Sequence, residues 1–310
     1  MSNPTENIVD LMLKLAPLEG YNLTSLSDVR LLRSNRPLSK TPVLYDPGIV
    51  IVCQGSKRGY FGEQCYLYDA EQYLAISVPV PFTMETDAST EQPLLAIYIH
   101  LNFKLAAELM LQLEQQGFEP PDHSPKSMIS SRIEPALASS VIRFLQGLSK
   151  PLEAEILGPS LLRELYFHFL TGKQSNEIRS ALAMQGQFGK ISQVLKHIHH
   201  DYAKQIDLAQ LAAKARMSVP TFHTHFKSIT QMPPMQYVKS VRLHQARMLM
   251  ARQSITAASA SHAVGYESPS QFNREFKRLF GLPPAEEVKR MKEHFAVPPI
   301  HSGAEYVSSH

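Results

Sequence analysis

The feature that most constrains the fold is a helical pattern that occurs twice, fifty residues apart. In each copy a serine is followed four and eight residues later by phenylalanine, and then by lysine: Ser218, Phe222, Phe226 and Lys227, and Ser268, Phe272, Phe276 and Lys277. The serine is expected to cap the start of a helix, and phenylalanines four residues apart form one apolar stripe that faces a core. Each copy follows a segment of small residues and a tight turn. The pattern therefore predicts two helix-turn-helix units.

One continuous helix is predicted between the two copies. The stretch PPMQYVKSVRLHQARMLMAR provides about eighteen helical residues, which corresponds to a length of roughly 27 Å. Successive major-groove faces on one side of a DNA duplex are ~34 Å apart. Two equivalent helices at the ends of such a connection are suited to reading two successive groove segments.

The outward faces of the two repeated helices supply the candidate DNA-reading residues. Counted from each serine, they are Pro220, Thr221, His223, Thr224 and Lys227 in the first helix, and Pro269, Ser270, Gln271, Asn273, Arg274 and Lys277 in the second. Arg274 can make a bidentate contact to guanine, and Asn273 can pair with adenine. Because the first helix has no outward arginine, we expect it to discriminate bases less sharply than the second. The basic residues Lys227, Lys277, Arg278, Lys239 and Arg242 are expected at phosphates or in solvent.

Charge is distributed unevenly along the chain. The net charge is +3, but residues 186–296 hold 16 Lys and Arg against 7 Asp and Glu, a net of +9 that leaves −6 for the remainder. A basic region joined to an acidic one indicates that the C-terminal part meets a polyanion. Charge alone does not distinguish DNA from RNA or from an anionic membrane surface.

The N-terminal part has a different pattern. Between Tyr21 and His100, aromatic and β-branched runs broken by Gly and Pro predict short antiparallel strands in a small, cupin-like β-barrel. Helices are predicted from Phe103 onward, and the segment TGKQSNEIRSALAMQGQFGK is interpreted as a linker. The predicted fold class is α+β. Its parts are a barrel with helices for effector sensing or dimerisation (1–172), a linker (173–187), an all-α double helix-turn-helix domain (188–296) and a tail (297–310).

These stretches carry a family resemblance. LAAKARMSVPTFHTHFKSIT, MQYVKSVRLHQARMLM and VGYESPSQFNREFKRLFG resemble the double helix-turn-helix domain of AraC/XylS-type transcription regulators, over about residues 188 to 290. VIVCQGSKRGYFGEQCYLYDAEQYLAISVPVPF is similar to the effector domain of one AraC subgroup. The resemblance implies a regulator that binds promoter DNA through its C-terminal domain, under control of an N-terminal barrel that senses a small molecule or dimerises. RNA polymerase and a second copy of the chain are then further candidate partners.

The chain departs from the family pattern at two turns. Arg216 and Gln231 stand where the family often has glycine. If the backbone is left-handed there, each side chain costs on the order of 1 kcal/mol. We expect the domain to tolerate that cost.

Four residues of the N-terminal part are candidates for sensing an effector or an oxidant: Cys53, Cys65, Tyr60 and Tyr66. The two cysteines fall on predicted neighbouring strands, where they are either small buried hydrophobes or a thiol sensor. The tyrosines belong to a group of aromatics that alternate with polar neighbours, some of which are expected to line a ligand pocket. A stripe of Leu105, Leu109 and Leu113 is expected to be internal core more than a dimer interface.

Other classes of protein are disfavoured by the sequence. No run of eighteen apolar residues predicts a membrane span, and the N-terminus does not read as a secretion signal, so a cytoplasmic location is expected. A barrel enzyme lacks support because no nucleophile–base or metal-ligand constellation is apparent, and no cofactor is expected. His197 and His200 have one-face helical spacing but no evident third ligand. A constitutive DNA binder without an effector stays open as the alternative.

Overall fold

The computed structural model describes residues 8–119, 121 and 123–294. Its strands are β1 (Gly20–Leu23), β2 (Val29–Ser34), β3 (Leu38–Tyr45), β4 (Gly48–Gln54), β5 (Ser56–Phe61), β6 (Gln64–Asp69), β7 (Gln72–Ile76), β8 (Val80–Asp87), β9 (Leu94–His100) and β10 (Met128–Arg132). Its N-terminal helices are α1 (Ile8–Leu15), α2 (Phe103–Gln115), α3 (Pro135–Leu148), α4 (Pro151–Ile156), α5 (Gly158–Thr171) and α6 (Ser175–Leu182). Its C-terminal helices are α7 (Gly186–Asp201), α8 (Leu208–Lys214), α9 (Val219–Thr230), α10 (Pro234–Gln253), α11 (Ala257–Ala263), α12 (Pro269–Phe280) and α13 (Pro284–His294).

The strands form one curled antiparallel sheet. They pair in the order β1-β2-β9-β4-β7-β6-β5-β8-β3, and β10 adds to β7. β1 and β3 are the two ends of this order, so the curled sheet does not close on itself and is a half-barrel. The predicted α+β class is confirmed, with the strands in the N-terminal part and, as far as the described residues extend, helices alone after β10. The predicted tail, 297–310, lies outside the described residues.

The two faces of the sheet contact different partners. In β4, Ile49, Ile51 and Cys53 belong to the core shared with the N-terminal helices. The alternate residues Val50 and Val52 point into the half-barrel and belong to a core that continues into the C-terminal helices. Because both faces are covered, β4 is a nearly continuous apolar run in the sequence.

The predicted linker is partly helical. Residues 175–182 form α6, and its Ile178, Ala181 and Leu182 are buried in the N-terminal core. Only a short break separates α6 from α7, with left-handed backbone at Met184 (φ 49°) and Gly186 (φ 58°). Burial against neighbouring helices stabilises an eight-residue helix whose sequence shows little periodicity, because packing can override weak local preference. The domain boundaries themselves stay a prediction.

The two predicted helix-turn-helix units are present. They are α8 with α9 and α11 with α12, joined by the 20-residue α10, whose length is about 30 Å. Ser218 and Ser268 cap α9 and α12, each accepting a hydrogen bond from the backbone N–H three residues later. All five stripe phenylalanines are buried: Phe222, Phe226, Phe272, Phe276 and Phe280. The core assignment of the repeat is therefore confirmed.

Both turns that depart from the family pattern are left-handed. Arg216 has φ 54° and Gln231 has φ 56°, while Gly281, the equivalent of Gln231 in the second unit, has φ 82°. A non-glycine residue in this region costs about 1 kcal/mol. The first unit thus carries backbone strain that the second avoids at Gly281.

The C-terminal helices are docked onto the half-barrel. The Tyr237 hydroxyl of α10 donates to the Pro79 carbonyl at 2.8 Å and lies 2.8 Å from His199 Nε2 of α7. Because that hydroxyl proton is used on Pro79, we infer that His199 donates from Nε2. Ser127 donates to the Ile229 carbonyl at the end of α9, at 2.6 Å. These contacts lie within one apolar core that both parts of the chain share.

Candidate nucleic-acid interface

The two reading helices expose equivalent faces. Residues 221–237 and 271–287 have the same succession of buried, half-buried and exposed positions, residue for residue. The repeat therefore extends beyond α9 and α12, through Pro233–Pro234 and Pro283–Pro284, into the first turns of α10 and α13. His223 and Thr224 of the first unit correspond to Asn273 and Arg274 of the second.

Ten of the eleven candidate DNA-reading residues are exposed. The exception is Pro269, which is half-buried at the first position of α12. In the part of the chain that the structure describes, six of the polar or charged side chains among them make no hydrogen bond or ion pair with protein groups: His223, Lys227, Ser270, Asn273, Arg274 and Lys277. Their donors are consequently available to DNA.

Three other candidates are engaged within their own helices. Thr221 Oγ1 lies 2.8 Å from Ser218 Oγ, and Thr224 donates to the Pro220 carbonyl at 3.1 Å. Gln271 Nε2 donates to Glu275 at 3.2 Å. A base contact from these side chains would require these bonds to be shared or exchanged.

Arg242 has a role that the sequence interpretation did not foresee. Its guanidinium donates to the carbonyls of Tyr202 (2.7 Å) and Lys204 (2.8 Å), just after α7, and of Gly265 (3.2 Å), in the turn before α12. Arg242 therefore connects the segment between α7 and α8, just before the first helix-turn-helix unit, to the turn of the second unit. Its guanidinium is engaged within the protein and is not simply solvated, and a phosphate contact stays a prediction. Lys239 is likewise engaged, with Glu275 at 2.7 Å.

Close backbone packing at Gly265 joins the same two segments. Its φ is 83°, and a β-carbon added there would lie 2.3 Å from the Ala203 carbonyl oxygen. Only glycine permits this close approach of the two backbones. Together with Arg242, it holds the segment between α7 and α8 against the turn before α12.

We expect Gly265→Ala to lower the free energy of unfolding by about 2 kcal/mol or more, because it adds a backbone clash to left-handed strain. The matched control is Gly281→Ala, where φ is 82° and nothing lies within 4 Å of the added β-carbon. That control should lose only the conformational cost of about 1 kcal/mol. Urea unfolding of both variants measures the difference, and equal losses would contradict the close approach.

The histidines of α7 have separate environments. His199 is buried against Tyr237, and burial lowers its pKa to about 3. His197 Nδ1 lies 3.3 Å from Asp201, while His200 is exposed. Among the described residues no three His, Cys, Asp or Glu side chains gather as a metal site would require. Those residues also contain no helix long and apolar enough to cross a bilayer.

A cavity of about 170 Å³ opens at the end of the half-barrel, beside α13. Its walls come from β1, β2, β3, β5, β8, β9, the residues that precede β1 and follow β2, and the last turn of α13. The lining residues are Glu19, Gly20, Tyr21, Leu32, Arg33, Ser34, Arg36, Leu38, Lys57, Met84, Thr86, Leu94, Lys292 and Glu293. Residues of the N-terminal half-barrel and of the C-terminal helices thus share one pocket.

The four effector candidates lie elsewhere. Cys53 is buried toward the N-terminal helices, and burial raises the pKa of its thiol to about 12, which disfavours the reactive thiolate. Cys65 is exposed on β6, and β7 lies between β4 and β6 in the sheet, so the expected neighbouring strands are not adjacent. Tyr60 donates to Glu85 at 2.7 Å, and Tyr66 donates to Gln64 at 2.5 Å.

Sequence reasoning missed the groups that link the parts. In β5 the buried residues alternate along the strand and are Lys57, Gly59 and Phe61. That period-two alternation could have identified Lys57 as an inward-facing residue. Aligning the two Pro-Pro pairs of the extended repeat places Glu287 opposite the buried Tyr237. That alignment could have identified Glu287 as a buried residue. No local pattern identifies the carbonyl partners of Arg242.

Two family models match the chain. Residues 25–177 match the AraC-type transcriptional regulator N-terminus, and residues 211–290 match a helix-turn-helix domain. An AraC-like transcription regulator of Streptomyces lividans is 32% identical over 96 residues, which are 31% of this chain and 32% of that protein. The HTH-type transcriptional regulator YdiP of Escherichia coli K12 is 30% identical over 106 residues, 34% of this chain and 35% of that protein. The matched segments therefore span about a third of these relatives.

Solved structures of ToxT from Vibrio cholerae strain SCE256 resemble most of the fold. An apo ToxT variant has a TM-score of 0.58 at 14% identity, covering 86% of this chain and 99% of ToxT. Wild-type ToxT with a bound unsaturated fatty acid has a TM-score of 0.55 at 16% identity, covering 87% and 97%. At this identity the likeness concerns the fold. With both family models matched in order along one sequence, this chain belongs to the AraC/XylS-type transcriptional regulators that carry an AraC-type N-terminal domain.

Proposed function

We propose that this protein is a sequence-specific regulator of transcription that binds promoter DNA with α9 and α12 in successive major grooves. The observation that carries the proposal is the pair of equivalent exposed faces, held at a set distance by α10, Arg242 and Gly265. Helices presented in this way match the docking of helix-turn-helix proteins, in which the second helix of each unit enters the groove. The excess of basic residues in 186–296 suits a polyanionic partner.

Within this function, Arg274 and Asn273 are assigned to base edges, and Lys227 and Lys277 to phosphates. The Arg274 guanidinium is exposed and makes no ion pair within the described part of the chain, so its paired donors can engage guanine O6 and N7. His223 and Thr224 take the corresponding places in the first unit. The first unit then reads its half of the site with weaker discrimination.

Control by a small molecule is the second part of the proposal. The AraC-type N-terminal region holds a cavity shared with α13, and ToxT, which shares the fold, has been crystallised with a fatty acid. This cavity favours a regulated protein over a constitutive DNA binder. We place no catalytic chemistry in it. A cytoplasmic location with the nucleoid as working site, a homodimer and a contact with RNA polymerase complete the proposal.

The test is a binding-site map of the full-length protein on genomic DNA, followed by affinity measurements on the strongest site at fixed salt. Arg274→Ala should weaken operator binding by about 1–3 kcal/mol and relax the preference at one base pair, because a bidentate guanine contact is lost. Lys277→Ala is the matched control one turn along the same helix. It should weaken all sequences alike and reduce the dependence of affinity on salt by about one ion.

Unchanged operator affinity of the Arg274 variant would remove its assignment. Diffuse binding without enriched sites would contradict the regulator itself. Paired half-motifs about one helical turn apart are the expected result.

A further inference from the structure

Lys57 is a buried cation without an acidic partner. Its side chain is 2% exposed. Its ammonium donates to the Tyr45 hydroxyl at 3.1 Å and lies 5.8 Å from the centre of that ring. Among the described residues no carboxylate pairs with it. A buried ammonium normally has a counter-ion, because removing its hydration shell is costly.

Lys57 is one of the residues that line the cavity beside α13. The other charged groups of that wall are Glu19, Arg33, Arg36, Lys292 and Glu293. Glu19 is already paired with Arg36 at 3.0 Å, and Glu293 approaches Lys289 at 4.0 Å. With Lys57 included, the wall therefore has an excess of two positive charges, and an anion is the complementary guest.

The rest of the wall is mostly apolar. Leu32, Leu38, Met84 and Leu94 surround the space next to Lys57, and Tyr21 adds an aromatic ring. The volume of about 170 Å³ is close to that of an engineered 150 Å³ protein cavity that holds one benzene molecule. A guest of that size has a compact apolar body.

We propose that this cavity binds a small organic monocarboxylate, whose carboxylate pairs with Lys57 and whose apolar body packs on Leu32, Leu38, Met84 and Leu94. The proposal rests on the proposed function, since it names the chemical class of the effector. A carboxylate supplies the missing counter-ion and accepts the remaining ammonium protons. Burial lowers the pKa of Lys57 to about 7, and a bound carboxylate would raise it again.

The guest would also contact the DNA-binding part. Lys292 and Glu293 of α13 close one side of the cavity, and Arg36 of the half-barrel donates to the Glu293 carbonyl. The same helix carries Glu287, which pairs with Arg247 of α10, the helix that separates the two reading units. Occupancy therefore acts on α13 and, through it, on α10, so carboxylate and operator DNA should change each other's affinity by the same factor.

The experiment is calorimetric titration of the full-length protein with hexanoate, methyl hexanoate and hexadecanoate. Hexanoate should bind, and methyl hexanoate, which has the same chain without the charge, should bind at least tenfold more weakly. Lys57→Met should weaken hexanoate binding at least tenfold. The control is Lys40→Met, because Lys40 also lies over a tyrosine ring, that of Tyr60 at 4.6 Å, but is exposed and outside the cavity. It should bind hexanoate like the unaltered protein.

Equal binding of the ester and the acid, or unchanged binding by the Lys57 variant, would overturn the charge assignment. Tighter binding of hexadecanoate than of hexanoate would overturn the size assignment. Operator affinity measured with and without hexanoate separates the two proposals. If the operator is bound but hexanoate is not, the carboxylate site falls and the regulator stands. If no operator is bound at all, the regulator falls.

Discussion

Glu287→Ala should lower the free energy of unfolding by about 3–5 kcal/mol, because it leaves a buried guanidinium without its counter-charge. Arg247 and Glu287 are both 1% exposed and 3.1 Å apart. Burial lowers the pKa of Arg247 to about 10, so the side chain is still charged at neutral pH. Its guanidinium also lies over the ring of Phe280 and donates to the Pro42 carbonyl of β3. The lost pair thus lies where α10, α12, α13 and the half-barrel meet.

Two variants test this explanation by chemical or thermal unfolding. Glu286→Ala, the exposed neighbour, should change stability by less than about 0.5 kcal/mol. The double variant Arg247→Met with Glu287→Met removes both buried charges and should recover much of the loss, since apolar replacement of a buried pair is often neutral or stabilising. Arg290, which also pairs with Glu287 at 2.8 Å, is 29% exposed and can be hydrated instead. If the double variant were as unstable as Glu287→Ala, shape and not the unpaired charge would be responsible.

Lys57→Met should have the opposite sign and stabilise the protein without ligand by about 1–4 kcal/mol at neutral pH. The depression of its pKa from 10.5 to about 7 corresponds to several kcal/mol of desolvation cost before relaxation, at about 1.4 kcal/mol per pH unit. Methionine fills similar space without a charge. We expect the variant to be more stable and to lose hexanoate binding, because functional sites often lower the stability of the protein that carries them.

The stability gained by Lys57→Met should shrink as pH rises. Below pH 7 Lys57 is charged in both the folded and the unfolded chain, so the full desolvation cost of the buried ammonium destabilises the folded protein. As pH rises from 7 toward 10.5, the folded chain releases the proton first, and the unaltered protein regains stability relative to the variant. The other groups facing this site are Tyr21, Tyr45, Glu19, Arg33, Arg36, Lys292 and Glu293. Burial raises the pKa of both tyrosines above 10, so they stay neutral through most of this window.

Unfolding curves at several pH values between 6 and 9.5 measure this effect. Lys40→Met is again the control, because its exposed ammonium should contribute nothing comparable. A stability difference that did not shrink as pH rises would show that Lys57 is not the titrating group.

The C-terminal units were the most predictable part of the fold. Ser218 and Ser268 act through hydrogen bonds to backbone N–H groups three residues away, and Phe272 and Phe276 lie on one face by helical spacing alone. Such features depend on local geometry, so a short window of sequence contains them. The family pattern marked Arg216 and Gln231 as positions where glycine is usual, and the backbone is left-handed at both.

The linker and the cysteines show where local information ends. The helix at 175–182 exists because Ile178 and Leu182 find a core supplied by other helices. Cys53 and Cys65 are close in sequence, but β7 lies between their strands because pairing in a sheet joins segments that are distant in the chain. Strand order is set by the packing of the whole sheet, which no single strand sequence encodes.

The sequence alone thus determined the helices of the two helix-turn-helix units, their caps, the apolar stripes and the outward faces that carry Asn273 and Arg274, because these depend on neighbours within a few residues. Only the tertiary structure decided that Arg242 and Gly265 join the segment after α7 to the turn before α12, that Glu287 neutralises Arg247, and that Lys57 lines a cavity closed by α13. Each of these contacts pairs a charge or a backbone with a partner at least 23 residues away. The chemistry of such a side chain is set by what the fold places beside it.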